Sequence, residues 1–164
     1  MMTNKDKRNL MKQIVGECDA LQQEYETEKM ELQKRYSAKK LEIWKKHFNK
    51  VSPVKKGGFC ELLCYRNWRP TEYIPIQVVD FHITDDGRIY INNCRVLDKE
   101  TGECGETIQF NDITGPCFTY IISKNKVYFH GHVTTCPHIL RREKETIRTN
   151  REKYPKMLEL FGSI

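Results

Sequence analysis

Between residues 130 and 138 the chain reads His130-Gly131-His132-Val133-Thr134-Thr135-Cys136-Pro137-His138. Neutral imidazole and thiolate are good zinc ligands, so His130, His132, Cys136 and His138 could close a tetrahedral site. If residues 127–133 form a strand, alternation with period two puts His130 and His132 on one face. Cys136 and His138 then follow within reach of a turn. The spacing matches no standard zinc finger, and CxxC is absent; Cys60 and Cys64 stand as CxxxC and would share a strand face. A metal held here would be structural rather than catalytic. The competing reading makes the histidines ordinary strand-end residues and the cysteines core packing. The sequence leads to an expectation of no cofactor, with zinc as the one alternative it admits.

A second group is Tyr65-Arg66-Asn67-Trp68-Arg69-Pro70, with Lys55 and Lys56 upstream. Arginine and aromatic side chains interleaved in a loop can clamp phosphates and stack on exposed bases. The same residue types dominate protein–protein hot spots. In the blandest reading Trp68 plugs the end of the β-domain and the arginines are solvated. A third group is the run Lys34, Arg35, Lys39, Lys40, Lys45, Lys46 and Lys50. These cations surround a helix shaft and could follow a phosphate backbone without reading its sequence. A solvated helix face is the ordinary alternative. Arg141, Arg142, Lys144, Arg148, Arg151 and Lys153 suggest another basic surface near the C-terminus.

Nothing comparable supports catalysis. GxSxG, HExxH and a glycine-rich phosphate loop are all missing. His130 or His132 could serve as a base near Cys117 or Cys136, but a Cys–His pair needs geometry that spacing alone cannot supply. The expectation is a non-enzymatic binding protein.

The distribution of charge agrees with a binder of acidic partners. The net charge is +6, from 28 basic and 22 acidic residues. Residues 1–50 hold 12 basic and 8 acidic side chains, residues 51–140 hold 9 and 10, and residues 141–164 hold 7 and 4. The middle is close to neutral and the two ends are positive, which favours nucleic acid or an acidic protein face. Within the first segment Glu17, Asp19, Glu24, Glu26 and Glu28 precede the basic run, so one helix has an acidic half and a basic half.

The elements that must carry these groups are legible in outline. Residues 5–49 contain no proline and one glycine, Gly16, and consist mostly of good helix formers. Thr3 or Asn4 can cap the start. Met11, Ile14, Cys18, Leu21 and Tyr25 recur at alternating spacings of 3 and 4, the a/d seam of a coiled coil. The next seam positions, Glu28 and Arg35, are charged, and the apolar pattern goes on only through Leu32 and the shifted Tyr36. Such a helix needs a partner: a second copy in a homodimer, another protein, or the β-domain of its own chain.

Ser52-Pro53 ends the helix and residues 51–58 form a linker. Residues 59–137 read as a small β-domain: strands over 59–65, 73–84, 88–97, 106–110, 117–123 and 127–133. Asp85-Asp86-Gly87, residues 98–102 and Lys124-Asn125-Lys126 supply turns. Apolar phase changes at Val78-Val79, which predicts a bulge. The fold class is therefore α+β: a long N-terminal helix, a small antiparallel β-sheet or, favoured by the run of short strands, an SH3- or OB-like barrel, and a basic helical tail over 138–164.

Seven cysteines at irregular spacing suit a reducing cytoplasm better than a disulfide framework. No apolar run reaches the roughly 20 residues that span a bilayer, so no membrane partner is expected.

The helix followed by Pro53-Val54-Lys55-Lys56-Gly57 and by Asp86-Gly87-Arg88-Ile89-Tyr90 resembles, over residues 20–110, small uncharacterised proteins of bacterial phages and mobile elements. The resemblance lies in layout and carries over no functional residue. It implies a short phage-encoded inhibitor of a bacterial defence complex, of the anti-CRISPR type, acting in the host cytoplasm on a nucleoprotein. Three expectations stand side by side: a binder of nucleic acid (RNA or DNA) or nucleoprotein, a coiled-coil adaptor for another protein, and a zinc-stabilised interaction module.

Overall fold

The computed structural model describes the chain apart from Trp68 and Pro116 and apart from the side chains of Arg69, Pro70 and Thr71. The architecture is α+β, with a long N-terminal helix, a six-stranded antiparallel sheet and C-terminal helices. It divides into two compact units, Met1–Lys40 and Leu41–Ile164.

The first unit is helical, as its composition dictates. It belongs to α1 (Asn4–Val51). Thr3 and Asp6 form a reciprocal cap: the Asp6 amide donates to Thr3 Oγ1 at 3.2 Å, and the Thr3 amide donates to Asp6 Oδ2 at 3.1 Å. This satisfies donors that the first turn would otherwise leave orphaned. Ser37 and Lys40 are half-buried and every other residue of this unit is exposed, including all the residues of the a/d seam.

The second unit begins with the last turns of α1. Six strands follow: β1 (Phe59–Arg66), β2 (Arg69–Ile83), β3 (Ile89–Leu97), β4 (Cys104–Gln109), β5 (Phe118–Ser123) and β6 (Lys126–Phe129). Three helices complete it: α2 (Phe110–Thr114), between β4 and β5, then α3 (Pro137–Lys153) and α4 (Pro155–Phe161). The sheet order is β4-β3-β2-β1-β5-β6, a four-stranded meander with β5 and β6 added on the far side of β1. The expected turns join β2 to β3, β3 to β4 and β5 to β6. The expected bulge is present, since the β2–β3 register skips Val79.

β1 is central and buried from Cys60 to Tyr65. Its even residues Cys60, Leu62 and Cys64 join Phe48, Ile76, Val78, Ile91, Phe110 and Ile121 in one core. Leu63 and Tyr65 join Tyr73, Ile122, Val127, Ile139 and Ile147 in a second. One face is thus covered by the end of α1 and by α2, the other by α3.

The sheet curls. A flat sheet would hold β6 and β3, four strand spacings apart, about 19 Å from one another. Yet the ring of His130, just past β6, lies 5.7 Å from that of Tyr90 on β3. Among the described residues no ladder joins the edge strands β4 and β6. The result is an open curled sheet, the first of the two expected alternatives, and not a closed barrel. Trp44 of α1 packs over the β2–β3 turn at Gly87, where an added Cβ would collide with the indole. With φ at +82°, that position suits glycine on backbone grounds as well.

Candidate functional site

The histidine and cysteine group does not assemble. Among the described residues no three His, Cys, Asp or Glu side chains lie where they could share a metal ion. The physical reason is local. β6 stops at Phe129, and residues 130–131 form a turn with Gly131 at φ +89°, so the expected strand over 127–133 is cut short. Alternation therefore never brings His130 and His132 to one face.

His130 turns inward between Phe110 (ring centroids 4.6 Å apart) and Tyr90. Burial holds its pKa down at about 4, so the imidazole is neutral at ordinary pH. His132 stays outside, its ring 5.4 Å from Phe129. Cys136 precedes the first turn of α3, where His138 is exposed. The residues proposed as zinc ligands serve packing and helix entry.

The tail is a second correction. Ile139, Glu143, Ile147 and Arg151 follow one another at intervals of four and form the buried stripe of α3. Arg151 is 1% exposed and faces Glu61, also 1% exposed, on central strand β1. Its Nε donates to Glu61 Oε2 at 2.9 Å and its Nη2 to Glu61 Oε1 at 2.5 Å. Nη1 donates to Asn125 Oδ1 at 2.9 Å and to the carbonyls of Phe161 (3.2 Å) and Gly162 (2.9 Å). The Tyr73 hydroxyl donates to the same Glu61 Oε2 that accepts from Arg151 Nε, and burial beside that carboxylate pushes the phenol's pKa upward.

Arg148 is taken up by Glu145 and Glu152, and Arg142 by Glu143 and the Tyr65 ring. Among the described residues Arg141, Lys144 and Lys153 are left exposed without an ion pair, too few to make the tail a broad basic surface. The stripe is visible in outline from the sequence. Ile139 and Ile147 lie on one helical face, which places residues 143 and 151 there too. A lone carboxylate in Cys60-Glu61-Leu62-Leu63-Cys64 asks for a buried cation.

The aromatic loop is only partly described. Trp68 lies outside the described residues, as does the side chain of Arg69. Arg66 is exposed at the end of β1, and its Nε donates to Cys117 Sγ at 3.3 Å.

The helix cations remain exposed. In the first unit Lys34, Arg35 and Lys39 are exposed, and half-buried Lys40 rests its ammonium over the Tyr36 ring at 5.5 Å. In the second unit Lys45, Lys46, Lys50, Lys55 and Lys56 are all exposed. None of these nine has a carboxylate within 4.0 Å among the described residues.

What spacing alone does not show is where some of them converge. A cleft of about 480 Å³ opens in the second unit, with Lys50, Lys55, Lys124 and Lys126 on its walls. Three elements place them. Lys50 comes from the last turn of α1, and Lys55 from the segment held to the sheet by the Gly57 amide, which donates to the Val78 carbonyl at 2.7 Å. Lys124 and Lys126 come from the β5–β6 hairpin. Its two loop residues, Lys124 and Asn125, both adopt left-handed φ (49° and 58°), the conformation a two-residue turn requires. Asn125 Nδ2 donates to the Ser163 carbonyl at 3.0 Å, which pins the hairpin to the C-terminus.

Arg151 and Glu61 also line the cleft, and they neutralise one another. Among the described residues Lys50, Lys55, Lys124 and Lys126 have no carboxylate within 4.0 Å. Phe59, exposed to 45%, and half-buried Tyr128 and Phe161 also line the cleft, with the Arg151 guanidinium 5.9 Å from the Phe161 ring. Cations spaced around aromatic faces can take an anionic chain that carries flat groups: phosphates on the ammonium groups, rings on the aromatics. In the sequence Lys124 and Lys126 read only as a turn; a hairpin tip with two lysines and no acid is the available signal.

A polar hollow of about 500 Å³ lies elsewhere, lined by His82, Tyr90, Asn92, Gln109, Asn111 and His130. His82 stacks on Tyr90 at 5.4 Å and its Nδ1 pairs with Asn92 Oδ1 at 2.7 Å. The described helices include none long and apolar enough to cross a membrane. The chain matches no known protein family, and no similar curated protein or solved structure is found at a significant level.

Proposed function

We propose that the protein is a non-enzymatic binder of single-stranded nucleic acid, free or within a nucleoprotein. In this reading the cleft of the second unit is its contact for the phosphate backbone. The supporting observation is that Lys50, Lys55, Lys124 and Lys126, none in an ion pair among the described residues, line one cleft with Phe59 and Phe161. A solvated helix face explains isolated lysines. It does not explain lysines from three separate elements lining one cleft together with aromatic side chains. Inhibition of a bacterial defence nucleoprotein, in the host cytoplasm, is the narrower form of this proposal. It requires the same cleft to engage nucleic acid held by another protein.

Fluorescence anisotropy with labelled single-stranded RNA and DNA oligomers tests the reading. Binding should weaken steeply with salt and should be lost when Lys124 and Lys126 are both replaced by Glu. Salt-insensitive binding, or an unchanged affinity in that variant, would reject the cleft as the contact.

A further inference from the structure

The first unit presents an apolar face that nothing in the described chain covers. With Met11 as position a of a heptad, Cys18 and Tyr25 are also a, and Ile14 and Leu21 are d. Met11 is 61% exposed, Ile14 44%, Leu21 66% and Tyr25 56%, and Cys18 is exposed too. Packing a/d side chains into a facing helix is the usual way such a face leaves water.

The flanking positions identify the occupant. Positions g are Leu10, Glu17 and Glu24; positions e are Val15, Gln22 and Lys29. In a parallel, in-register pair each g residue meets the e residue five positions later on the other helix. Leu10 then meets Val15, Glu17 meets Gln22, and Glu24 meets Lys29, each twice by symmetry. The first contact widens the apolar seam, the second joins a carboxylate to an amide, and the third joins opposite charges. Lys29 Nζ sits over its own Tyr25 ring at 5.8 Å and 4.0 Å from Glu26, both exposed, within reach of the neighbouring helix.

An antiparallel pair would instead bring g against g, setting Glu17 and Glu24 of one copy against those of the other. At physiological salt, charges beyond about 8 Å are screened, so these direct flanks outweigh the gross acidic and basic halves of the helix.

We infer that the protein self-associates through a parallel, in-register coiled coil of Leu10–Tyr25, with Cys18 facing Cys18 across the two-fold axis. The seam closes at Glu28, a d position where two carboxylates would oppose one another. This pairing does not rest on the nucleic-acid reading. Little more than two heptads give a weak dimer that separates on dilution.

The full chain is tested by sedimentation velocity over a wide concentration range. A reversible dimer is expected, and a monomer at every concentration overturns the inference. Leu21→Glu should weaken the dimer roughly tenfold or more, because each copy loses a leucine from one layer. The thermal transition of the β-unit should not move. A dimer untouched by that change lies elsewhere and also overturns it.

Orientation is read with a short bismaleimide in a Cys18→Ser, Cys104→Ser background carrying Met11→Cys. Parallel pairing places the two introduced thiols side by side, and they cross-link. The same background with Met11 retained reports any contribution from the half-buried cysteines. Antiparallel pairing would separate the introduced thiols by roughly 25 Å, so a dimer that fails to cross-link refutes the parallel register.

Discussion

Lys124→Gln with Lys126→Gln is the sharpest perturbation of the proposed cleft. It removes two of four unpaired cations while leaving the hairpin backbone and its left-handed turn untouched. The magnitude follows from counterion release. Each phosphate neutralised on a single strand adds about −0.7 to the slope of log K against log salt. Four lysines therefore give a slope of about −2.8, and two give about −1.4. Raising salt from about 50 to 200 mM should weaken the unmodified protein about 50-fold and the variant only about 7-fold.

Anisotropy titrations of an RNA oligomer at four or five salt concentrations measure both slopes. Phe59→Ala is the companion variant. It should reduce affinity by about 1–3 kcal/mol at every salt concentration and leave the slope alone, because a stacked base releases no counterion. The reasoning fails if the double lysine variant keeps the original slope, or if the phenylalanine variant changes it. Either result would separate the cations of the cleft from the anion being bound.

Three further outcomes test the account of the fold. Arg151→Met should destabilise the second unit by about 3–5 kcal/mol in urea titrations, because Glu61 stays buried without its cation; adding Glu61→Leu should recover much of the loss, whereas additive losses would mean that the pair is not coupled. Between about pH 6.5 and 4 stability should fall by about 2 kcal/mol, since the unfolded His130 takes a proton that the buried ring resists; His130→Phe should flatten that part of the urea-midpoint profile, and an unaltered profile assigns the loss to other groups. Gly87→Ala meets both a φ of +82° and the Trp44 ring, so a midpoint loss of about 2 kcal/mol or more is expected; a loss below about 0.5 kcal/mol would show that Trp44 does not rest on the turn.

Local signals in the sequence predicted local structure well. The Val78-Val79 phase change became a bulge, and Asp85-Asp86-Gly87 became a turn. The proline-free stretch from residue 5 became a helix capped by Thr3. These features depend on neighbours a few positions away, and period and turn chemistry report them directly.

The buried ion pair is different in kind. Glu61 and Arg151 lie 90 positions apart, and each looks solvent-bound until α3 is laid across β1. Charge totals treat Arg151 as a surface cation because they carry no information about facing. The histidine group failed for a similar reason. Only a strand through residue 133 would align His130 with His132, and a turn at Gly131 ends the alternation two residues after β6.

The near-neutral middle of the chain, residues 51–140, supplies three of the cleft's four lysines, Lys55, Lys124 and Lys126. Lys124 and Lys126 belong to a segment whose acids and bases nearly cancel, yet its carboxylates are drawn elsewhere: Asp86 to Arg88, Asp80 to Asn93, Glu61 to Arg151. A balanced total can therefore coexist with a strongly one-sided surface. For a nucleic-acid chain within a Debye length, about 8 Å at physiological salt, the four lysines of the cleft matter and the distant acids are screened. Affinity should then follow the local arrangement of Lys50, Lys55, Lys124 and Lys126. Changing the net charge by substituting Asp112 or Glu103, neither of which lines the cleft, should leave binding almost unaffected.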